Sequence, residues 1–262
     1  MNFRKIIILP VLLLALVILP SCSENLASKN IDELLNSSCE LAKNNDWSKA
    51  LKYAQEAVNR EPANANAGAL VLLALAYENS GDLEQSLQAA RSAVKADAKY
   101  FQAQYTLGRL CLKDPAKIQD SIEPLKRALR LKPDDTDTLV LLAQGSKKLG
   151  LLETVNYFEQ LAKSRRYQGR PEPWNEMMII YAEQNNTRDA ARCLVTAYSR
   201  AKDNPIIVLN FALFWDYYAS PKRPVQAVKY YRKFLVIVAN NSAFDAKVVQ
   251  IKKRISEIVA TR

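Results

Sequence analysis

Histidine is absent from all 262 residues, and with it go the commonest general base and the commonest metal ligand. Glycine is scarce, at 6 residues, which argues against a chain built of tight turns and hairpin loops. Four cysteines are present, and three of them, Cys39, Cys111 and Cys193, stand singly and far apart. An odd, scattered set of this kind is not a disulfide framework. The carboxylates show no pairing with a recognisable nucleophile or base. The sequence therefore points to no enzyme, no cofactor and no metal site.

Long apolar runs are also lacking, with one exception at the start. Arg4 and Lys5 precede an apolar stretch from Ile6 to Leu19 that Pro10 interrupts and Pro20 ends. It falls short of the roughly 20 residues that cross a bilayer as a helix. Small residues follow at Ser21 and Ser23, completing the three-part layout of a secretory signal. Cleavage after Ser23 would release an ordinary secreted protein. The tetrad Leu19-Pro20-Ser21-Cys22, however, resembles the lipobox of bacterial lipoproteins, although Pro20 stands where a small residue is usual. That resemblance implies residues 1–21 as a cleaved signal and Cys22 as the lipid attachment site, with residues 22–30 as a tether. Two or more acyl chains anchor durably where one does not. The body would then face the periplasm from a membrane, and Ser23 in place of Asp implies the outer one.

The remaining stretch of about 240 residues is rich in Ala, Leu, Lys and Glu, a composition that favours helices. Within it the small residues recur at a regular interval. Ala57, Ala93, Ala128, Ala162, Ala197 and Phe234 are separated, by subtraction, by 36, 35, 34, 35 and 37 residues. Seven residues before each stand Ala50, Ser86, Ser121, Val155, Ala190 and Ala227. A second series in phase with the first runs Ser38, Ala74, Gly108, Ala143, Met178 and Ala212. Residues seven apart share one face of a helix, and small ones there let a second helix approach closely. Each unit thus needs two helices. Asn45-Asp46, Ser80-Gly81-Asp82, Leu149-Gly150 and Asn185-Asn186 supply turns inside the hairpins, and Pro62, Pro133 and Pro205 end second helices.

This pattern resembles the tetratricopeptide repeat (TPR), best over residues 171–204 through Trp174, Tyr181, Ala190 and Ala197. Residues 67–100 match nearly as well through Leu70, Ala74, Tyr77, Gly81 and Ala93, while the last unit departs by a Ser-Pro-Lys-Arg-Pro insertion and by Phe234. A non-repetitive helical bundle is the alternative. The resemblance implies an all-α fold, a right-handed superhelical solenoid of about six helical hairpins over residues 31–241. Residues 242–262 read as a capping helix, with Phe244, Val248, Ile251, Ile255 and Ile258 on one stripe, because a terminal repeat otherwise leaves its apolar face in water.

The resemblance also implies that first helices line an inner groove that binds a partner. Its groove positions fall on Tyr105, Arg109 and Lys113 in the third unit, on Gln144, Lys147 and Lys148 in the fourth, and on Asn175, Ile179 and Glu183 in the fifth. Such a mixture suits a protein or peptide of the envelope, held during envelope assembly. Charge offers an alternative. Residues 23–100 carry a net −3, residues 101–170 a net +5 and residues 171–262 a net +6. Clusters at Lys163-Arg165-Arg166-Arg170, at Lys222-Arg223 with Arg232-Lys233, and at Lys252-Lys253-Arg254 would attract anionic lipid or a wall polymer. The export signal argues against nucleic acid, and the oligomeric state is left open. Tyr217, Tyr218 and Tyr230 lie too close to Phe211, Trp215 and Phe234 for all to be core, and exposed tyrosine beside arginine is typical of interfaces. The separation of the three thiols predicts buried, free cysteines.

Overall fold

The computed structural model describes residues 26–60 and 66–261. The signal, Cys22 and Pro62 lie outside the described residues. Among the described residues the chain is a succession of thirteen α-helices. They are α1 (Ile31–Lys43), α2 (Trp47–Arg60), α3 (Ala67–Asn79), α4 (Leu83–Ala96), α5 (Phe101–Cys111) and α6 (Ile118–Leu131). These are followed by α7 (Thr136–Lys148), α8 (Thr154–Lys163), α9 (Glu172–Glu183), α10 (Thr187–Arg200), α11 (Pro205–Leu213), α12 (Pro224–Ile237) and α13 (Asp245–Ala260). Each helix packs on the one before it and the one after it, the nearest-neighbour arrangement of a solenoid.

The hairpins form where the small residues fall. Ala50, Ala190, Ala197, Ala74, Ala143 and Ala212 are fully enclosed at the crossings. Gly108 shows the tolerance most clearly: a Cβ there would stand 2.5 Å from Cγ of Leu125, so only hydrogen fits. Helix α3 is apolar on nearly every side and is buried over most of its length, as a helix sandwiched by its neighbours must be.

Four of the hairpin turns share one geometry. Asn45, Gly81, Gly150 and Asn185 have φ of 61°, 84°, 65° and 58°, the left-handed conformation that glycine and asparagine enter most readily. In each, the next amide reaches back to close the first helix: Asp46 N to Leu41 O, Asp82 N to Tyr77 O, Leu151 N to Ser146 O and Asn186 N to Tyr181 O, at 2.8 to 3.0 Å. This is the Schellman closure. Asp82 and Asn186 then cap the second helix by accepting from Gln85 N and Asp189 N.

Over the first three units the first helices approach one another, α1 on α3 and α3 on α5, whereas no comparable contact joins α2 to α4 or α4 to α6. This part of the stack therefore curves with its first helices on the inside. At the far end α13 lays Ile251 and Ile258 on α12, with Phe244, Val248 and Ile255 partly buried beside them.

One expectation needs correction. Cys111 and Cys193 are buried and free, but Cys39 is exposed, because one residue beyond Ser38 the helix has turned about 100° from the crossing face. Trp174 is only half-buried, with the Arg200 guanidinium 5.0 Å over its ring.

Candidate functional site

On the concave side the predicted groove residues divide by what they touch. Arg109 on α5 donates both terminal nitrogens to Glu78 on α3, at 2.6 and 2.5 Å. Lys113 reaches the same carboxylate at 2.5 Å. The Glu78 side chain is only 8% exposed. Burial works to raise its pKa, and the bonds from Arg109 and Lys113 outweigh that, so the carboxyl lies below the usual range. The two cations expected to face a ligand are thus engaged by a residue the sequence reading missed. The signal was available in hindsight: an acid near the end of one first helix and cations on the same face of the next. Tyr105 stacks on Phe101 with ring centres 5.8 Å apart, and its hydroxyl pKa is raised, chiefly by burial.

In the fourth unit Gln144, Lys147 and Lys148 are brought together. They line a hollow of about 560 Å³ between α7 and α9, floored by Val140, Phe158, Leu161 and Pro173 and rimmed by Glu172 and Glu176. Lys147 pairs with Glu176 across it. Apolar floor and polar rim together make a site that can seat an apolar group and orient the rest of a ligand.

The fifth unit separates its three residues. Asn175 is buried and accepts from Asn210 Nδ2 at 2.8 Å, so it joins α9 to α11 and does not face the groove as expected. Ile179 is half-buried and lines a second, smaller hollow of about 200 Å³ between α9 and α11. Glu183 stands in solvent.

The basic clusters are partly consumed inside the protein. Arg166 pairs with Asp137, Lys233 contacts Asp203 at 3.1 Å and the Tyr198 hydroxyl at 3.2 Å, and Arg223 lies 5.4 Å over the Trp215 ring. Arg254 turns inward to Asp216 at 2.9 and 2.8 Å. Lys252 and Lys253 beside it remain exposed. Spacing alone does not reveal the ion pairs, since each joins residues distant in sequence by way of the stack.

Stacked helical hairpins with an inner groove of first helices define the protein as a TPR-type solenoid. The structure is similar to that of YrrB, described as a TPR protein with an unusual peptide-binding site, at TM-score 0.60 and 19% identity over 68% of this chain and 90% of that one. It is similar to MamA at TM-score 0.58 and 16% identity, over 66% of this chain and 92% of that one. The C-terminal part of a TPR repeat-containing protein from Cytophaga hutchinsonii matches 86% of this chain and 88% of its own, at TM-score 0.67 and 12% identity. At these identities the likeness establishes the fold. No family model matches the chain, and the curated proteins gave no significant match.

Proposed function

We propose that the protein is a lipid-anchored scaffold of the bacterial envelope that holds a peptide or protein segment in its concave groove and catalyses nothing. The observation that carries the binding role is the hollow between α7 and α9, where Gln144, Lys147 and Lys148 surround an apolar floor of a size suited to side chains. The peptide-binding site in the description of the structurally similar YrrB supports the same reading. The anchor rests on Cys22 following the signal-like start. Among the described residues no helix is long and apolar enough to cross a membrane.

Both halves of the reading have a direct test. A photo-crosslinking residue placed at Gln144 in intact cells should trap a discrete partner, and one placed at the exposed Val195 on α10 should not. Equal capture from both positions would remove the groove from the account. A fatty-acid analogue should label the wild-type protein and not the Cys22→Ala variant; a variant that keeps its label and its membrane fraction would remove the anchor.

A further inference from the structure

The hollow between α9 and α11 differs in kind from its larger neighbour. Met178, Ile179 and Ala182 form one side, Leu213 and Phe214 the other, and Tyr218 closes its end. Asn210 and the Tyr218 hydroxyl are its polar lining groups, and Asn210 Nδ2 donates to Asn175 at 2.8 Å. No charged group lines it. One turn back along α9, Glu176 is matched by Lys147.

Its wall is set by an unusual piece of backbone. From Phe214 to Tyr218 the chain is π-helical, with Ala219 N bonded to Phe214 O at 2.8 Å, and such bulges are frequent at functional sites. The wide turn leaves Tyr217 and Tyr218 exposed at 45% and 44%. Between them and the core, Asp216 is buried and held by Tyr231 Oη at 2.9 Å and by Arg254. The tyrosines are therefore displayed from a fixed support, which lowers the ordering cost of binding. Tyrosine is also the residue type most often found at binding hot spots, together with tryptophan and arginine.

We infer that this hollow anchors the partner segment by one uncharged aliphatic or aromatic side chain, with Ile179 as its floor and Tyr218 as its wall. The inference rests on the groove-scaffold reading and specifies its ligand. A charged anchor is disfavoured on physical grounds. It would lose its water to a lining that offers no counter-charge, a cost that an apolar anchor does not meet. Glu78 already engages Arg109 and Lys113, and Glu176 engages Lys147, which weakens the pull of the central groove on an acidic segment.

The test uses the purified protein and a phage-displayed library of random linear peptides. Enriched peptides should share a Leu, Ile, Met or Phe and carry no net charge. A fluorescent copy of the strongest binder should bind about ten-fold more weakly to Ile179→Asp, a change equivalent to about 1.4 kcal/mol. Because Ile179 is half-buried, Tyr218→Ala serves as the second variant; its side chain is open to solvent, and it should weaken binding in the same direction. Peptides that are uniformly acidic, or that bind both variants as well as wild type while losing affinity for Gln144→Ala or Lys148→Glu, overturn the anchor and leave the scaffold standing. A library that yields no binder overturns both.

Discussion

Ser38 on α1 donates its hydroxyl to the carbonyl of Ala50 on α2 at 2.8 Å. One unit later the same pair of positions is bonded in reverse, with Ser86 on α4 donating to the carbonyl of Ala74 on α3 at 2.7 Å. Either helix can carry the hydroxyl, because the constraint at the crossing is size and the hydrogen bond only has to span it. Two substitutions separate the contributions. Ser86→Ala keeps the size and should cost about 1 kcal/mol, the usual worth of one such bond. Gly108→Ala should destabilise by about 1–3 kcal/mol through overpacking, although alanine is the better helix former by about 1 kcal/mol. Its Cβ would meet Leu125 at 2.5 and 2.8 Å and the Ser121 carbonyl at 3.2 Å. Urea unfolding followed by circular dichroism reads both, and a Gly108→Ala protein more stable than wild type would show that the crossing is looser than described.

The thiols give a second check on the fold. Burial pushes Cys193 up to about 11 and raises Cys111 as well, while Cys39 lies exposed on α1. Since the thiolate is the reacting species, brief iodoacetamide treatment at about pH 8 should alkylate Cys39 and leave Cys111 and Cys193 untouched until the protein is unfolded. Mass spectrometry of tryptic peptides decides it. Early modification of Cys193 would mean that the fifth hairpin opens far more readily than its packing implies.

The crossings were legible in the sequence because a close approach tolerates few residue types, and Ala57, Ala93 and Ala128 repeat that constraint in register. The turns were legible for a similar reason, as Asn45, Gly81, Gly150 and Asn185 must all enter the left-handed region. The groove was less so. Phase places Arg109 and Lys147 on the concave face, but whether they meet a ligand or Glu78 and Glu176 depends on the reach of side chains across neighbouring units. The π-helical turn at Phe214–Tyr218 has no spacing signature, since it adds one residue to a turn without altering the residues on either side. Asp216 and Arg254 were hidden for the same reason: their meeting requires that turn and the docking angle of α13 together.

Glu78 makes the stability of the array depend on pH in a defined direction. Its carboxyl is held below its unfolded value of about 4.3, so its stabilising effect is complete above that value and is lost as pH falls through the lower, folded one. Glu78→Gln removes the charge that Arg109 and Lys113 share, and should cost roughly 1.5–3 kcal/mol at neutral pH. As pH falls below the unfolded value and through the lower, folded one, the wild-type carboxyl takes up a proton too, and the difference between the two proteins should narrow. Melting curves at a series of pH values test this; a gap of constant size at every pH would show that Glu78 does not bear the charge assigned to it.

Arg254 and Asp216 fasten the terminal helix to the last hairpin, and the break of that tie should be local. The Asp216 side chain is fully enclosed, with Arg254 and Tyr231 as its donors. Burial favours the protonated acid, and those donors outweigh it, holding the carboxyl below its ordinary value. Arg254→Met leaves a buried carboxylate without its cation, a loss of about 3–5 kcal/mol where such pairs have been broken. Arg254→Lys keeps the charge without the two-nitrogen fork and should fall between. Because each unit of a solenoid is stabilised by its neighbours alone, the damage should appear as faster amide exchange in α11, α12 and α13, with α3 to α6 protected as in wild type. Replacing both partners, as in Asp216→Leu with Arg254→Met, removes the stranded charge and should restore part of the loss. Uniformly faster exchange along the whole chain would contradict the nearest-neighbour account. An Arg254→Met protein as stable as wild type would show that α13 is held by Ile251 and Ile258 without help from the ion pair.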